Sequence, residues 1–119
     1  MFLAEVCFET NDVVRLSRFY RRLFLIEAEN QDEVHQVITT GQVAITVYND
    51  GSVKDNQNRN ITLAFTVEDV DAEYERLLQM GITVIEPPTT RPWGARNMHI
   101  CDPDGNHIYF RSILKQSGE

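Results

Sequence analysis

The chain has 119 residues with a charged fraction of 24% and a hydrophobic fraction of 42%, the size and balance of one ordinary globular domain, which excludes wholesale disorder. Eighteen acidic against eleven basic residues give a net charge of -7, a surface that repels phosphate backbones and better suits a neutral or cationic small molecule. No apolar run approaches the ~20 residues that span a bilayer, no secretory signal is visible, and two cysteines cannot make a disulfide framework. The expectation is a cytoplasmic protein with reduced thiols and neither nucleic-acid nor membrane partners.

Residues 2–9, FLAEVCFE, alternate as a strand does: Phe2, Val6 and Phe8 fall on one parity, Leu3, Glu5, Cys7 and Glu9 on the other. Asn11 or Asp12 can cap a helix from Val13 to Phe24, whose apolar residues Val13, Leu16, Phe19, Tyr20 and Leu23 recur at three and four. Arg15, Arg18 and Arg22 take the opposite face, which reads as solvated. Three strands are expected next, Leu25–Glu29, Val34–Thr39 and Val43–Tyr48, the last two joined by a turn at Thr40, Gly41 and Gln42. Residues 49–60, NDGSVKDNQNRN, read as a surface linker.

The pattern then restarts. Residues 61–67, ITLAFTV, alternate as a strand, and Asp69 caps a second helix with acidic Asp71 and Glu73 in its first turn, matching the helix dipole. Val70, Tyr74, Leu77 and Leu78 form its apolar stripe and Gly81 ends it. Ile82–Ile85 reads as a strand and PPTTRPWG as a loop, followed by strands at 95–101 and 106–112 joined by the turn Asp102-Pro103-Asp104-Gly105. The tail from Lys115 is polar.

Each half thus reads strand, helix, three strands, and superposing Asp12 on Asp69 brings Phe8 onto Phe65, Val13 onto Val70, Leu25 onto Ile82 and Glu29 onto Glu86. The expected organisation is α+β, with a first βαβββ module at 1–49, a linker at 50–60, a second βαβββ module at 61–114 and a tail at 115–119. The modules would form curved mixed sheets around a trough, a usual place for a ligand.

Three segments carry a resemblance. PWGARNMHICDPDGNHIYF (92–110), DVVxLxxFYRRLF (12–24) and VEDVDAEYERLLQMGITVIEPP (67–88) resemble the vicinal oxygen chelate superfamily, which includes glyoxalase I, extradiol dioxygenases and bleomycin-resistance proteins. The length is most similar to its small dimeric bleomycin-resistance-like branch, which implies a homodimer. Members with a metal place ligands, usually His, Glu or Gln, at four trough-facing positions, and the resemblance carries these onto Glu5, Thr46, Thr62 and Tyr109. Of these, Glu5 is the one good donor for a divalent ion; threonine hydroxyls and a phenol are poor ones. No cofactor is therefore expected, and catalytic residues are not assigned. Elsewhere, His99 and His107 lie on neighbouring strands without parities that guarantee one face, and a displaced metal site there stays open. Cys101, before a tight turn, reads as structural.

The expected ligand-binding set is Glu5, Cys7, Glu9, Thr46, Tyr48, Thr62, Trp93, His107, Tyr109 and Arg111, with Thr66 beside them. Aromatic rings offer stacking faces for a flat or cationic molecule, and the two glutamates offer negative charge. Two functions follow: a metal-free protein that binds or sequesters a small cationic or aromatic molecule, and, as the alternative, a glyoxalase-type lyase or isomerase that uses a divalent metal. A third, a closed interaction domain, requires the trough to be vestigial.

Overall fold

A computed structural model of the chain describes residues 3–55 and 61–113. Phe2, linker residues 56–60 and the tail from Lys115 lie outside the described residues. The chain divides into two compact units, residues 1–60 and 61–119.

In the first unit the order is β1 (Glu5–Glu9), α1 (Val13–Leu23), β2 (His35–Thr39) and β3 (Ala44–Tyr48). The sheet runs β1-β3-β2, with β1 parallel and β2 antiparallel to the central β3. Asp12 caps α1 by accepting a hydrogen bond from the Arg15 N–H at 3.0 Å. The buried stripe of α1 is Val13, Leu16, Ser17, Tyr20 and Leu23, with Phe19 half-buried beside it. It packs on one face of the sheet: Tyr20 stacks on Phe8 at 5.9 Å, and Ile38, Ile45 and Val47 complete the buried set. The described start of the linker is ordered by short polar side chains, the Asn49 carboxamide oxygen accepting from the Gly51 N–H at 2.8 Å and Asp50 from the Ser52 N–H at 2.9 Å.

The second unit repeats the order and adds a strand: β4 (Thr62–Thr66), α2 (Val70–Gln79), β5 (Val84–Arg91), β6 (Ala95–Cys101) and β7 (His107–Ile113). Its sheet runs β4-β7-β6-β5, parallel between β4 and β7 and antiparallel elsewhere. Val70 and Leu77 of α2 are buried, as are Met98, Ile100, Ile108 and Phe110 on the alternate parity of β6 and β7. Leu78, read as part of the apolar stripe, is 45% exposed. Arg96 of β6 reaches Asp71 in the first turn of α2 through two hydrogen bonds of 2.9 and 3.0 Å, and its guanidinium holds the Asp71 carboxyl below the usual carboxylate range.

Two expectations about elements are corrected. Leu25–Glu29 is not a strand, so the first unit is βαββ among the described residues. The reason is the helix end. The Ile26 N–H bonds the Arg21 carbonyl at 2.7 Å and the Leu25 N–H bonds that of Arg22 at 3.2 Å, a Schellman closure that forces Leu25 into the left-handed region at φ 60°. Helix α2 closes in the same way, through Ile82 to Leu77 and Gly81 to Leu78, with Gly81 at φ 77°. Leu25 therefore corresponds to Gly81 rather than to Ile82: α1 has 11 residues and α2 has 10, so the alignment that matches the caps slips by one past the helices. The second correction is that PPTT is strand, not loop, since β5 runs on to Arg91. As an edge strand with register shifts between Val84 and Glu86 and between Glu86 and Thr89, β5 tolerates Pro87 and Pro88, whose missing N–H groups break no regular ladder.

Candidate functional site

Each sheet has one face covered by its helix and one face that is not. Strand alternation assigns the residues. In the first unit the second face carries Glu5, Cys7 and Glu9 of β1, Thr46 and Tyr48 of β3, and His35 and Val37 of β2, since Cys7 stands opposite Thr46 and Glu9 opposite Tyr48. Glu5, Cys7 and Glu9 are exposed, as is Val37, while Thr46 on the central strand is only 2% exposed. His35 meets Tyr48 edge-on, with ring centres 6.2 Å apart. Apolar, hydroxyl, thiol and carboxylate groups thus share one surface.

In the second unit the corresponding face carries Thr62 and Thr66 of β4, His107, Tyr109 and Arg111 of β7, and Asn97, His99 and Cys101 of β6. His99 stacks flat on Tyr109, with ring centres 4.3 Å apart and planes 8° off parallel. His99 Nε2 and His107 Nδ1 are 2.8 Å apart, a hydrogen bond in which one ring donates and the other accepts. The Arg111 Nε–H donates to the Thr66 hydroxyl at 3.2 Å. Burial first, and the neighbouring His107 second, push the His99 pKa down, against a weaker opposing pull from Glu86, so that His99 favours its neutral ring. Burial, and then the Asp102 carboxylate, push the Cys101 thiol up, in keeping with an inert thiol.

Of the residues singled out in sequence, Glu5, Cys7, Glu9, Thr46 and Tyr48 share the face in the first unit, and Thr62, His107, Tyr109 and Arg111 share that in the second. Trp93 lies in the loop expected for it, the β5–β6 turn closed by the Gly94 N–H to the Arg91 carbonyl, and is 71% exposed. His99, His35 and Asn97 were missed as face residues. The turn expected at 102–105 would set Cys101 opposite Asn106; instead the Asp102 N–H bonds the Asn106 carbonyl at 3.0 Å, and this one-residue difference sets Cys101 opposite His107 and hence His99 opposite Tyr109.

Of the residues at the four positions onto which the resemblance carries the metal ligands, all but Glu5 are poor donors for a divalent ion. In the first unit Glu5 is joined by Thr46, a buried neutral hydroxyl; in the second, Thr62 is a hydroxyl and Tyr109 a phenol engaged in stacking. Among the described residues no group of three or more His, Cys, Asp or Glu side chains is placed to hold a metal. A separate open cleft of about 620 Å³ lies beside the start of α1, lined by Asn11, Asp12, Gln31, Glu33, Asn49 and Asp50 among others. None of the expected site residues lines it, and it has neither the aromatic rings nor the imidazoles of the open faces, so the candidate site is placed on the faces.

Two mixed sheets, each covered on one side by a single helix, define an α+β protein built on a repeated plan. The chain belongs to the Glyoxalase/Bleomycin resistance protein/Dioxygenase superfamily, whose family model matches residues 3–110. A stretch of 47 residues is 40% identical to an uncharacterized protein of Mycobacterium bovis (strain ATCC BAA-935 / AF2122/97), covering 40% of this chain but only 31% of that protein, so the match spans less than a third of the relative's length. Among solved structures, a glyoxalase/bleomycin resistance protein/dioxygenase from Nocardioides is similar at a TM-score of 0.77 and 20% identity, over 100% of this chain and 89% of that one. A lactoylglutathione lyase from Agrobacterium tumefaciens is similar at 0.73 and 20% identity, over 93% of this chain and 92% of the other. At these identities the likeness is one of fold. Among the described residues no helix is long and apolar enough to cross a membrane.

Proposed function

We propose that this protein binds and sequesters a small cationic or aromatic molecule on the open faces of its sheets, without a metal at the family positions, as a cytoplasmic homodimer similar in role to the bleomycin-resistance branch. The observation that carries this reading is chemical: three of the four family positions hold Thr46, Thr62 and Tyr109, while the same faces gather Tyr48, the His99–Tyr109 stack and the carboxylates Glu5 and Glu9. Rings supply stacking area, carboxylates attract a cation, and hydroxyls orient it. Among the described residues the contacts on these faces are stacks and hydrogen bonds rather than a nucleophile paired with a base, so binding rather than turnover is the chemistry supported.

The test is a fluorescence titration with a cationic acridine dye and with neutral aromatics, in excess EDTA. Saturable binding is expected, with the dye recovered unchanged. Tyr109→Ala and Glu5→Gln should each weaken it about tenfold. Binding that appears only after a divalent metal is added would instead support the second reading, a metal-dependent glyoxalase-type lyase or isomerase, for which Glu5 is the one favourable residue. No binding of any probe under either condition refutes both.

A further inference from the structure

We infer that His99 and His107 form a two-imidazole site for a late first-row divalent ion such as nickel. The site is distinct from the four family positions and goes beyond the ligand-binding reading. Its basis is the placement of two neutral-capable nitrogens, His99 Nε2 and His107 Nδ1, 2.8 Å apart on adjacent antiparallel strands. Two imidazoles each about 2.1 Å from one ion, at the right angle of tetragonal or octahedral coordination, stand about 3 Å apart, whereas a tetrahedral ion would need them about 3.4 Å apart. The observed spacing therefore suits right-angle coordination; the ion would sit off the line between the nitrogens, each lone pair turned about 45° from that line, which takes rotation of the side chains rather than a backbone change.

The two rings divide the work. His99 is half-buried and held flat against Tyr109, which fixes its direction. His107 is exposed and can swing to converge on the ion. Strand pairing sets Glu86 opposite His99 and Cys101 opposite His107. Glu86 is engaged by Arg91, and among the described residues no third His, Cys, Asp or Glu side chain is placed to join the two imidazoles, so water fills the remaining positions. Imidazole is the ligand such ions prefer among the side chains on this face.

Nickel is the suitable probe, because the exposed Cys7 thiol would reduce copper. The chain contains three histidines, so the unmodified protein carries its own control in His35. Titrating nickel alone, followed by proton NMR of the imidazole rings and by calorimetry, should broaden the His99 and His107 signals before that of His35, at one ion per chain. His99→Asn and His107→Asn should each weaken uptake tenfold or more, and the second lies at an exposed position where folding is not at stake. Equal broadening of all three rings, uptake that survives both substitutions (as a Cys7 thiolate site would), or no uptake at millimolar nickel would overturn the proposal. No organic ligand is present in this test, so its failure leaves the ligand-binding reading standing.

Discussion

Leu25 shows what one residue can cost a fold. A left-handed conformation strains a side chain with a Cβ by about 1–2 kcal/mol, and Leu25 is 72% exposed, so burial returns little of that. Gly81 closes the second helix with the same bonds and no such strain. Leu25→Gly should therefore stabilise the protein by about 0.5–1 kcal/mol, relief of strain outweighing the greater freedom of glycine in the unfolded chain. A rise in the urea midpoint at unchanged slope checks this; a fall would mean that the exposed leucine is covered in the native protein. His99 makes a prediction of a different kind. Its pKa lies below the ordinary 6.5 because burial and His107 disfavour its charge. Below pH 6.5 the unfolded chain takes up a proton that the folded one resists, so the stabilisation is full above that value and declines as pH falls through it toward the lowered native pKa. The urea midpoint should drop between pH 7.5 and 5.5, and His99→Asn should shrink that drop. An equal drop in the variant would assign it to other groups.

Among the elements, the β6–β7 hairpin leans on a single buried side chain, Asp102. The Asp102 carboxylate, 5% exposed, accepts from the N–H groups of Asp104 and Asn106 at 2.9 Å each and from the Asn106 carboxamide at 2.7 Å. Asp102→Ala leaves those donors without their acceptor, Asn106 itself being buried, and should destabilise by about 2–4 kcal/mol. Asp102→Asn keeps an acceptor oxygen and should lose less. If alanine costs no more than asparagine, the carboxylate is not what holds the turn, and the His99–Tyr109 stack that depends on its register would be expected to persist. That hairpin, the two aspartate caps and the helix stripes were legible in the sequence because each is decided by chemistry within a few residues. The elements that were not legible are decided at longer range. Pro87 and Pro88 read as loop because nothing local says that β5 is an edge strand. Leu25–Glu29 read as strand because a leucine does not announce a left-handed cap. The same limit applied to the site: parity within β1, β3, β4 and β7 could be read along the chain, whereas the meeting of His99 with His107 needed the register between two strands.

For the molecule as a whole, a net charge of -7 surrounds every site with a negative field, and its influence on binding can be separated from local contacts by salt. Screening shortens the reach of exposed charges from about 10 Å at 0.1 M to about 3 Å at 1 M. A cationic dye drawn by the overall field should bind several-fold less tightly as salt rises over that range, while a neutral aromatic probe, held by stacking and apolar burial, should lose little or gain slightly. Glu5 and Glu9 share one exposed sheet face. If they act as direct partners rather than as part of the diffuse field, Glu5→Gln with Glu9→Gln should weaken the dye even at high salt, where the remaining carboxylates are screened. Parallel salt curves for the charged and the neutral probe would show that the acidity of the chain plays no part in choosing its ligand, and would leave stacking on Tyr48, His99 and Tyr109 as the basis of recognition.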